Sequence, residues 1–485
     1  MENTPVTVWT QLIGSKQDAS ATALTTGLDG SIYVSGLISG SIDAQTNAGG
    51  SDAFVTKYNS DGVKAWTRLL GTSGYDTATA LTTGLDGSVY VGGYSSGSLD
   101  AQPNKGKNDA FIAKYNVGGD RVWIRSLGTS GNDIITAVNK GLDGSIYVSG
   151  LTDGSMDGQT NRGGNDAFIT KYSTDGVKVG TIQFGTVASD IAYALTIGLD
   201  GSIYVSGLTE GTLDAQTNAG GFDVYITKFS PDGVKIWTRS MGTNSSDIAY
   251  ALTTGFDGSI YVSGMTEGSL DGQTNSGGSD AFVTKYSSDG VKAWTRLLGT
   301  SGYDTATALT TGLDGSIYVS GLTEGSLNGK TNNGRSDAFL VKFQDVTANL
   351  KFTLSPTSGS VNEGENAVFK LTTANVPAGT VVNYSISGTV DSSDISDKQL
   401  SGSVLIPANG IANIVIPIAA DKKTEGPETL ILNLQGQSSS ILINDTSTYL
   451  SPNDHTALIE DSGQIKLYQN SDGSQSVLEL SLIHI

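Results

Sequence analysis

GLDGSIYVSG, residues 27–36, returns as GLDGSVYVGG at 84–93 and as GLDGSIYVSG at 141–150, and nearly verbatim from Gly198, Gly255 and Gly312. Each copy starts 57 residues after the one before. A fixed period of this length marks a repeat architecture, in which one copy is one supersecondary unit that cannot bury its apolar faces alone. Laid over one another, the copies show four strand-like runs per period. In the first they are ATALTTG (21–27), SIYVSGL (31–37), DAFVTKY (52–58) and VKAWTRLLG (63–71). Each is short, β-rich and bounded by turn residues. Leu28-Asp29-Gly30 joins the first two runs, and Asn59-Ser60-Asp61-Gly62 the last two. Asp-Gly supplies the positive φ of a tight hairpin turn. One period therefore reads as a four-stranded antiparallel meander.

Meanders arranged radially cover one another's faces and leave few edges. Two features favour a closed wheel over an open stack. ATALTTG is built of small residues, as a crowded innermost strand requires. The ends also match: VTVWTQLIG (6–14) copies the fourth strand with no preceding three, and DAFLVKF (337–343) is a third strand with no fourth. The expectation is an all-β chain with a six-bladed β-propeller over 1–346, closed by the N-terminal strand. Phe54 and Trp66 recur at the same step, with Tyr225 and Gly180 as exceptions, and read as packing between blades. Residues 279–319 repeat 51–91 except at Asn59/Ser287 and Val89/Ile317, the trace of a duplication. GLDGSIYVSG, DAFVTKY and DGVKAWTRLLG together resemble the bacterial β-propeller repeat family called SBBP, over about residues 6–343. That resemblance implies a fold and a setting in large surface or exported bacterial proteins, more than an activity.

Among 485 residues the formal net charge is −20 and Gly numbers 64, with no Cys. The acidity is the wrong sign for nucleic acid or an anionic membrane face. Without Cys there is no disulfide, thiolate metal site or Cys nucleophile. No apolar run approaches the roughly 18 residues of a membrane helix. MENTPVTVWTQLIG shows neither the basic nor the apolar region of an ordinary secretory signal. The chain thus stays inside, leaves by a signal-less route, or is a piece of something longer; the family resemblance favours an extracellular or cell-surface place.

Two longer connections fall on one face of the repeats: GTSGYDT (71–77) and ISGSIDAQTNAGGS (38–51). Long polar loops on a rigid frame are the natural binding surface, here for a protein or glycan partner. Within the second loop Asp43, Gln45, Asn47 and Asp52 recur. Oxygens at alternate positions suggest a calcium loop, but the EF-hand spacing fails, and anchoring of the loop to its own backbone accounts for the same residues. SSDGVKAW (287–294) is similar to the Asp box of sialidases, with Gly directly after Asp. The two His residues, His455 and His484, lie outside the repeats. Arg68, Arg125, Arg239 and Arg296 lie on the outermost strand, too far apart to clamp one carboxylate. With no special loop in evidence, catalysis is not expected; the alternative is a propeller-based polysaccharide hydrolase or lyase.

After Phe343 the period stops. From 347 to 446 alternating strands with Pro, Asn and Gly turns predict an immunoglobulin-like β-sandwich. VNEGENAVFKL, DKKTEGPETLILNL and ILIND resemble the Calx-β domain over about 350–446. The resemblance implies a calcium (Ca2+) site at one end of the sandwich, carried over by motif onto Glu363, Asp394, Asp421, Glu425, Glu428 and Asp445. Calcium takes six to eight hard oxygens, which converging carboxylates would supply. Here Asp421-Lys422-Lys423 replaces paired acids and Asn444-Asp445-Thr446 carries one carboxylate. Residues 447–485 read as a tail or truncated module. The whole predicts a non-enzymatic bacterial surface or exported binding protein of adhesion type, with no nucleic-acid partner and no membrane insertion.

Overall fold

The computed structural model describes residues 9–27, 29–312, 315–344, 351–376, 380–407, 409–420 and 426–446, with the backbone of 468–469 and 475–476. Among them there is no helix. The first period forms β1 (Ala19–Thr26), β2 (Ile32–Ile38), β3 (Asp52–Tyr58) and β4 (Lys64–Leu70), paired antiparallel in chain order. The same four-stranded sheet recurs over 76–127, 133–184, 190–241 and 247–298, and a three-stranded one over 304–343.

The inward order of the strands follows from their side chains. All seven residues of β3 are buried: Ala53 and Val55 join the core shared with the second sheet, and Phe54 packs on the other face with Ile38 and Ile42, where Ile13 of the N-terminal segment covers them. β4 begins with exposed Lys64 and Ala65, as an outer strand should. The core lies between sheets: Tyr33, Val55, Leu81, Val91 and Phe111 belong to one cluster that spans the first two. First strands of successive sheets touch all along the array. Each carries a bulge one residue long, between Ala21 and Ala23 in β1, which turns the extra residue outward from the ladder. That residue binds the next sheet: the Thr22, Thr79 and Thr136 hydroxyls each donate to a carbonyl of the neighbouring first strand at 2.5 Å.

The opposite end of each sheet is tied by the fourth strand. Trp66 Nε1 donates to Val117 O (3.0 Å) and Arg68 Nε to Gly119 O (2.7 Å), both on the next sheet's hairpin. Gly119 has φ +84°, and a Cβ there would stand 2.7 Å from the Trp66 ring, so only glycine admits the indole.

The N-terminal segment departs from expectation. Residues 9–15 form no strand, and the sheet over 304–343 has three strands, not four. Trp9 Nε1 donates to Ser60 O (3.1 Å) and Gln11 Nε2 to Gly62 O (3.0 Å). The segment therefore makes the lateral contact of a fourth strand without its ladder. Side-chain docking on a hairpin needs no strand partner, whereas closure needs the last sheet alongside. Consistently, Leu24 of β1 is 67% exposed and Leu340 of the last sheet 71%. Residues 6–8 of the expected strand lie outside the described residues.

Over 351–446 a three-stranded sheet (Lys351–Pro356, Asn366–Ala374, Ile411–Pro417) and a five-stranded one share a single apolar core. Phe369 and Ile414 from the first meet Val382, Leu430 and Ile441 from the second. Strand alternation is regular, as in Ile411–Pro417, where Ala412, Ile414 and Ile416 point in.

Candidate functional site

The tight Asp-Gly turns occupy one edge of the array and the two longer connections the other. On the second edge these connections are bonded to one another. Gly50 N donates to Gly74 O (2.9 Å), Asp76 N to Ser51 O (2.7 Å) and Ser96 N to Tyr75 O (2.9 Å). The result is a continuous rim from sheet to sheet.

Inside each loop the recurring polar residues serve the loop itself. Asp43 and Ala44, at φ 48° and 60°, make a turn that returns Gln45 onto Ile42. Gln45 donates to Thr67 O (2.7 Å) and accepts from Leu69 N (3.0 Å). Asn47 donates to Ile38 O and accepts from Gly49 N, both at 3.0 Å. Asp43 pairs with Lys64 at 2.7 Å. Oδ2 of Asp52 accepts from Ala48 N at 2.9 Å. Three of the four are spent on the fold; Asp52 has one oxygen left over.

What the rim exposes is not uniform. Tyr75 and Tyr303 are 67% and 57% exposed, where Asn132, Ser189 and Ser246 stand in the other copies. Val187 is 86% exposed where its equivalents are Ser or Asn. Two recesses accompany the loops. One, of ≈ 430 Å³, is lined by Asp43, Gln45, Lys64, Trp66, Arg68 and Gly118. The other, of ≈ 280 Å³, is lined by Gln216, Asp223, Gly242, Asp271 and Lys292 among others.

The arginines of the fourth strand are structural: Arg125 and Arg239 donate to Gly176 O and Gly290 O at 2.8 Å, repeating Arg68. One departure from the repeat had escaped the sequence reading. At the bulge, where Thr22, Thr79, Thr136 and Thr307 stand, sheets four and five carry Tyr193 and Tyr250, whose rings lie 5.5 Å apart. Setting the copies in register at 57 residues would have exposed it.

At one end of the C-terminal core, burial raises the Glu428 carboxyl above the ordinary glutamate range, helped by the charges of Asp394, Asp391 and Glu363. The charges of Glu363 and Asp394 thus reach Glu428, and so does that of Asp391, unannounced by the motif. Asp445 instead accepts from Gly426 N at 2.9 Å. Asp421 and Glu425 lie outside the described residues. Among the described residues no three acids or imidazoles converge tightly enough to hold a metal ion.

No protein-family model matches the chain. It is 27% identical over 369 residues to the Regulatory protein FlaEY of Caulobacter vibrioides, covering 65% of this chain and 38% of that one. It is 26% identical over 331 residues to the uncharacterized WD repeat-containing protein L264 of Acanthamoeba polyphaga mimivirus, covering 50% of this chain and 24% of that one. The chain thus spans well under half the length of these curated relatives. Among solved structures, puromycin hydrolase aligns with a TM-score of 0.34 at 12% identity, over 73% of this chain and 59% of that one. A putative gluconolactonase aligns at 0.29 and 14%, over 55% and 80%.

Proposed function

We propose that the chain is a non-enzymatic binding protein whose repeats are the blades of a six-bladed β-propeller and whose loop rim takes a protein partner. The observation that carries this is the contrast between the two edges. The tight-turn edge is consumed by Trp and Arg contacts to the next sheet. The rim is held rigid by backbone bonds, and there the exposed side chains change from copy to copy, Tyr75 and Tyr303 against Asn132 and Ser246. Rigid frame with variable exposed aromatics is the composition of a recognition surface. A relative named for WD repeats supports the propeller reading, since such repeats are four-stranded blades. The three-stranded last sheet would be completed by residues 6–14, already seated on the first sheet through Trp9. The C-terminal module is an immunoglobulin-like spacer, for which the resemblance to the Calx-β domain supports calcium binding at the end that carries Glu363, Asp394 and Glu428. The resemblance to the SBBP repeats supports a setting outside the cell or at its surface.

Against catalysis stand the chemistry and access of the acids. The repeats hold no His or Cys. The aspartates at the sheet junctions, such as Asp52 and Asp76, are 0–2% exposed, whereas a glycosidase pair must flank a sugar. The test is a displayed peptide library and a glycan array probed with the wild-type chain and with Tyr75→Ala/Tyr303→Ala. Ligands enriched by the wild type and lost by the variant support the rim. Release of reducing ends from a polysaccharide panel by the purified chain would establish the hydrolase or lyase instead.

A further inference from the structure

The longest-range regularity of the repeats is one no loop motif announces. The first residue of the third strand in each of the first five sheets is Asp (52, 109, 166, 223, 280), and so is the first residue of each following first strand (76, 133, 190, 247, 304). All ten are 0–2% exposed. They lie near one another in pairs where one sheet passes to the next, each within reach of its partner's charge: Asp52 with Asp76, Asp109 with Asp133, Asp166 with Asp190, Asp223 with Asp247, Asp280 with Asp304. At the third junction a Cβ on Gly185 would stand 2.4 Å from Asp166 Oδ1 and 3.0 Å from Asp190 Oδ2, so both carboxylates crowd one point.

Each carboxylate uses one oxygen for the fold. Asp52 Oδ2 accepts from Ala48 N, and Asp76 Oδ2 from Thr72 N at 2.6 Å. The other oxygen of nine of the ten is buried without a hydrogen-bond partner; Asp133 Oδ1, which takes the Thr152 hydroxyl, is the exception. The hydroxyls of Thr209 and Thr266, near Asp190 and Asp247, donate to the carbonyls of Gly211 and Gly268. Two acceptor-only groups side by side out of water demand a positive charge or a proton.

Two junctions carry a positive charge of their own. Four residues before Asp109 and Asp166 stand Lys105 and Arg162, which reach the carbonyl of the glycine beside the pair: Lys105 Nζ to Gly128 O at 3.2 Å and Arg162 Nη1 to Gly185 O at 3.3 Å. At the other three the same position is Ala48, Ala219 or Ser276, too short to do so. The glycine itself is required throughout, because the first carboxylate lies against it: a Cβ on Gly242 would be 2.2 Å from Asp223 Oδ1.

We propose that the junctions Asp52/Asp76, Asp223/Asp247 and Asp280/Asp304 each bind a hard divalent cation, held by the two free carboxylate oxygens and neighbouring backbone carbonyls, and that Lys105 and Arg162 replace that cation at the other two. A divalent ion cancels two carboxylates, and oxygen-only ligands suit calcium or magnesium. A recess lined by Asp223 and Gly242 runs beside one of these junctions. These sites are separate from the acids of the C-terminal module and independent of the partner proposed for the rim.

The test is titration calorimetry of the full chain, stripped with EDTA, with Ca2+ and with Mg2+ at pH 7.5. Relative to wild type, Asp223→Asn/Asp247→Asn loses one equivalent of bound ion, and so does Ala219→Arg, which installs the side-chain cation and keeps every carboxylate. Lys105→Ala gains one. Should the double Asn variant fail to fold, Ala219→Arg and Lys105→Ala carry the test alone. Unchanged stoichiometry in both would overturn the proposal. So would the absence of ion binding by the wild type together with proton uptake by the folded chain between pH 5 and 7, the signature of a shared proton.

Discussion

Trp123→Ala isolates the force that holds one sheet to the next. The indole is 9% exposed, lies between Tyr90 (5.8 Å between centroids) and Tyr172 (6.4 Å, stacked), and donates to Thr174 O at 3.1 Å. Burying an aromatic of this size removes ~200 Å² from water, on the order of 5 kcal/mol at ~25 cal/mol/Å². Alanine keeps a small part, and the hydrogen bond adds about 1 kcal/mol. Thr174 is exposed and its carbonyl still accepts from Lys114 Nζ (3.3 Å), so losing the indole costs that group little. The expected loss is about 3–5 kcal/mol, the usual range for Trp→Ala in a core. In a repeat array that loss falls on one interface. Urea unfolding followed by hydrogen exchange should therefore split into two phases, with protection lost first at the junction between 76–127 and 133–184. A single transition within about 0.5 kcal/mol of wild type, or protection lost evenly across all sheets, would refute the argument.

Other expectations are independent of that one. Ala44, Ala101 and Ala215 sit at φ 56–60° where three copies have glycine (Gly158, Gly272, Gly329); each Ala→Gly should stabilise by about 0.5–1 kcal/mol in a thermal melt. Gly242→Ala drives a methyl onto Asp223 and should cost about 1–3 kcal/mol, read as a fall in the urea midpoint. Burial, with Asp109 nearby, raises the Asp133 carboxyl above its unfolded value despite bonds from Thr152 and Thr129. Its contribution is full below the unfolded pKa and declines as pH rises through the folded one. Asp133→Asn should thus flatten the descending limb of a plot of urea midpoint against pH. Glu428→Gln removes a carboxylate repelled by Asp394, Asp391 and Glu363; it should raise the C-terminal module's melting temperature in EDTA and abolish any further rise with calcium.

Strand order and turns were legible because they depend on local chemistry. Asp29-Gly30 and Asn59 to Gly62 can only be tight turns, and the 57-residue step fixes their equivalence. The role of the loop residues was half legible: Asn47 and Gln45 do bind backbone, but the meeting of Asp52 with Asp76 depends on a junction that the linear text does not draw. Gly180 and Tyr225 were visible as departures and acquire a reason from packing. Without an indole at 180, Phe184 fills the interface, 5.4 Å from Phe229 and 5.9 Å from Tyr225. Closure by the N-terminal strand was inferred from matching ends; of that segment, residues 9–15 keep the side-chain docking of a fourth strand, Trp9 on Gly62, without pairing into a ladder.

Many side-chain bonds between sheets join residues 51, 56 or 57 positions apart, as from Trp66 to Val117, Thr22 to Ala78 and Thr83 to Thr26. Excising or duplicating one whole period therefore brings together surfaces already shaped for each other. A gene encoding this text can lengthen or shorten by recombination between near-identical copies, such as 51–91 and 279–319, and every product inherits working seams. Module number becomes a heritable variable that evolution adjusts without redesigning a single contact.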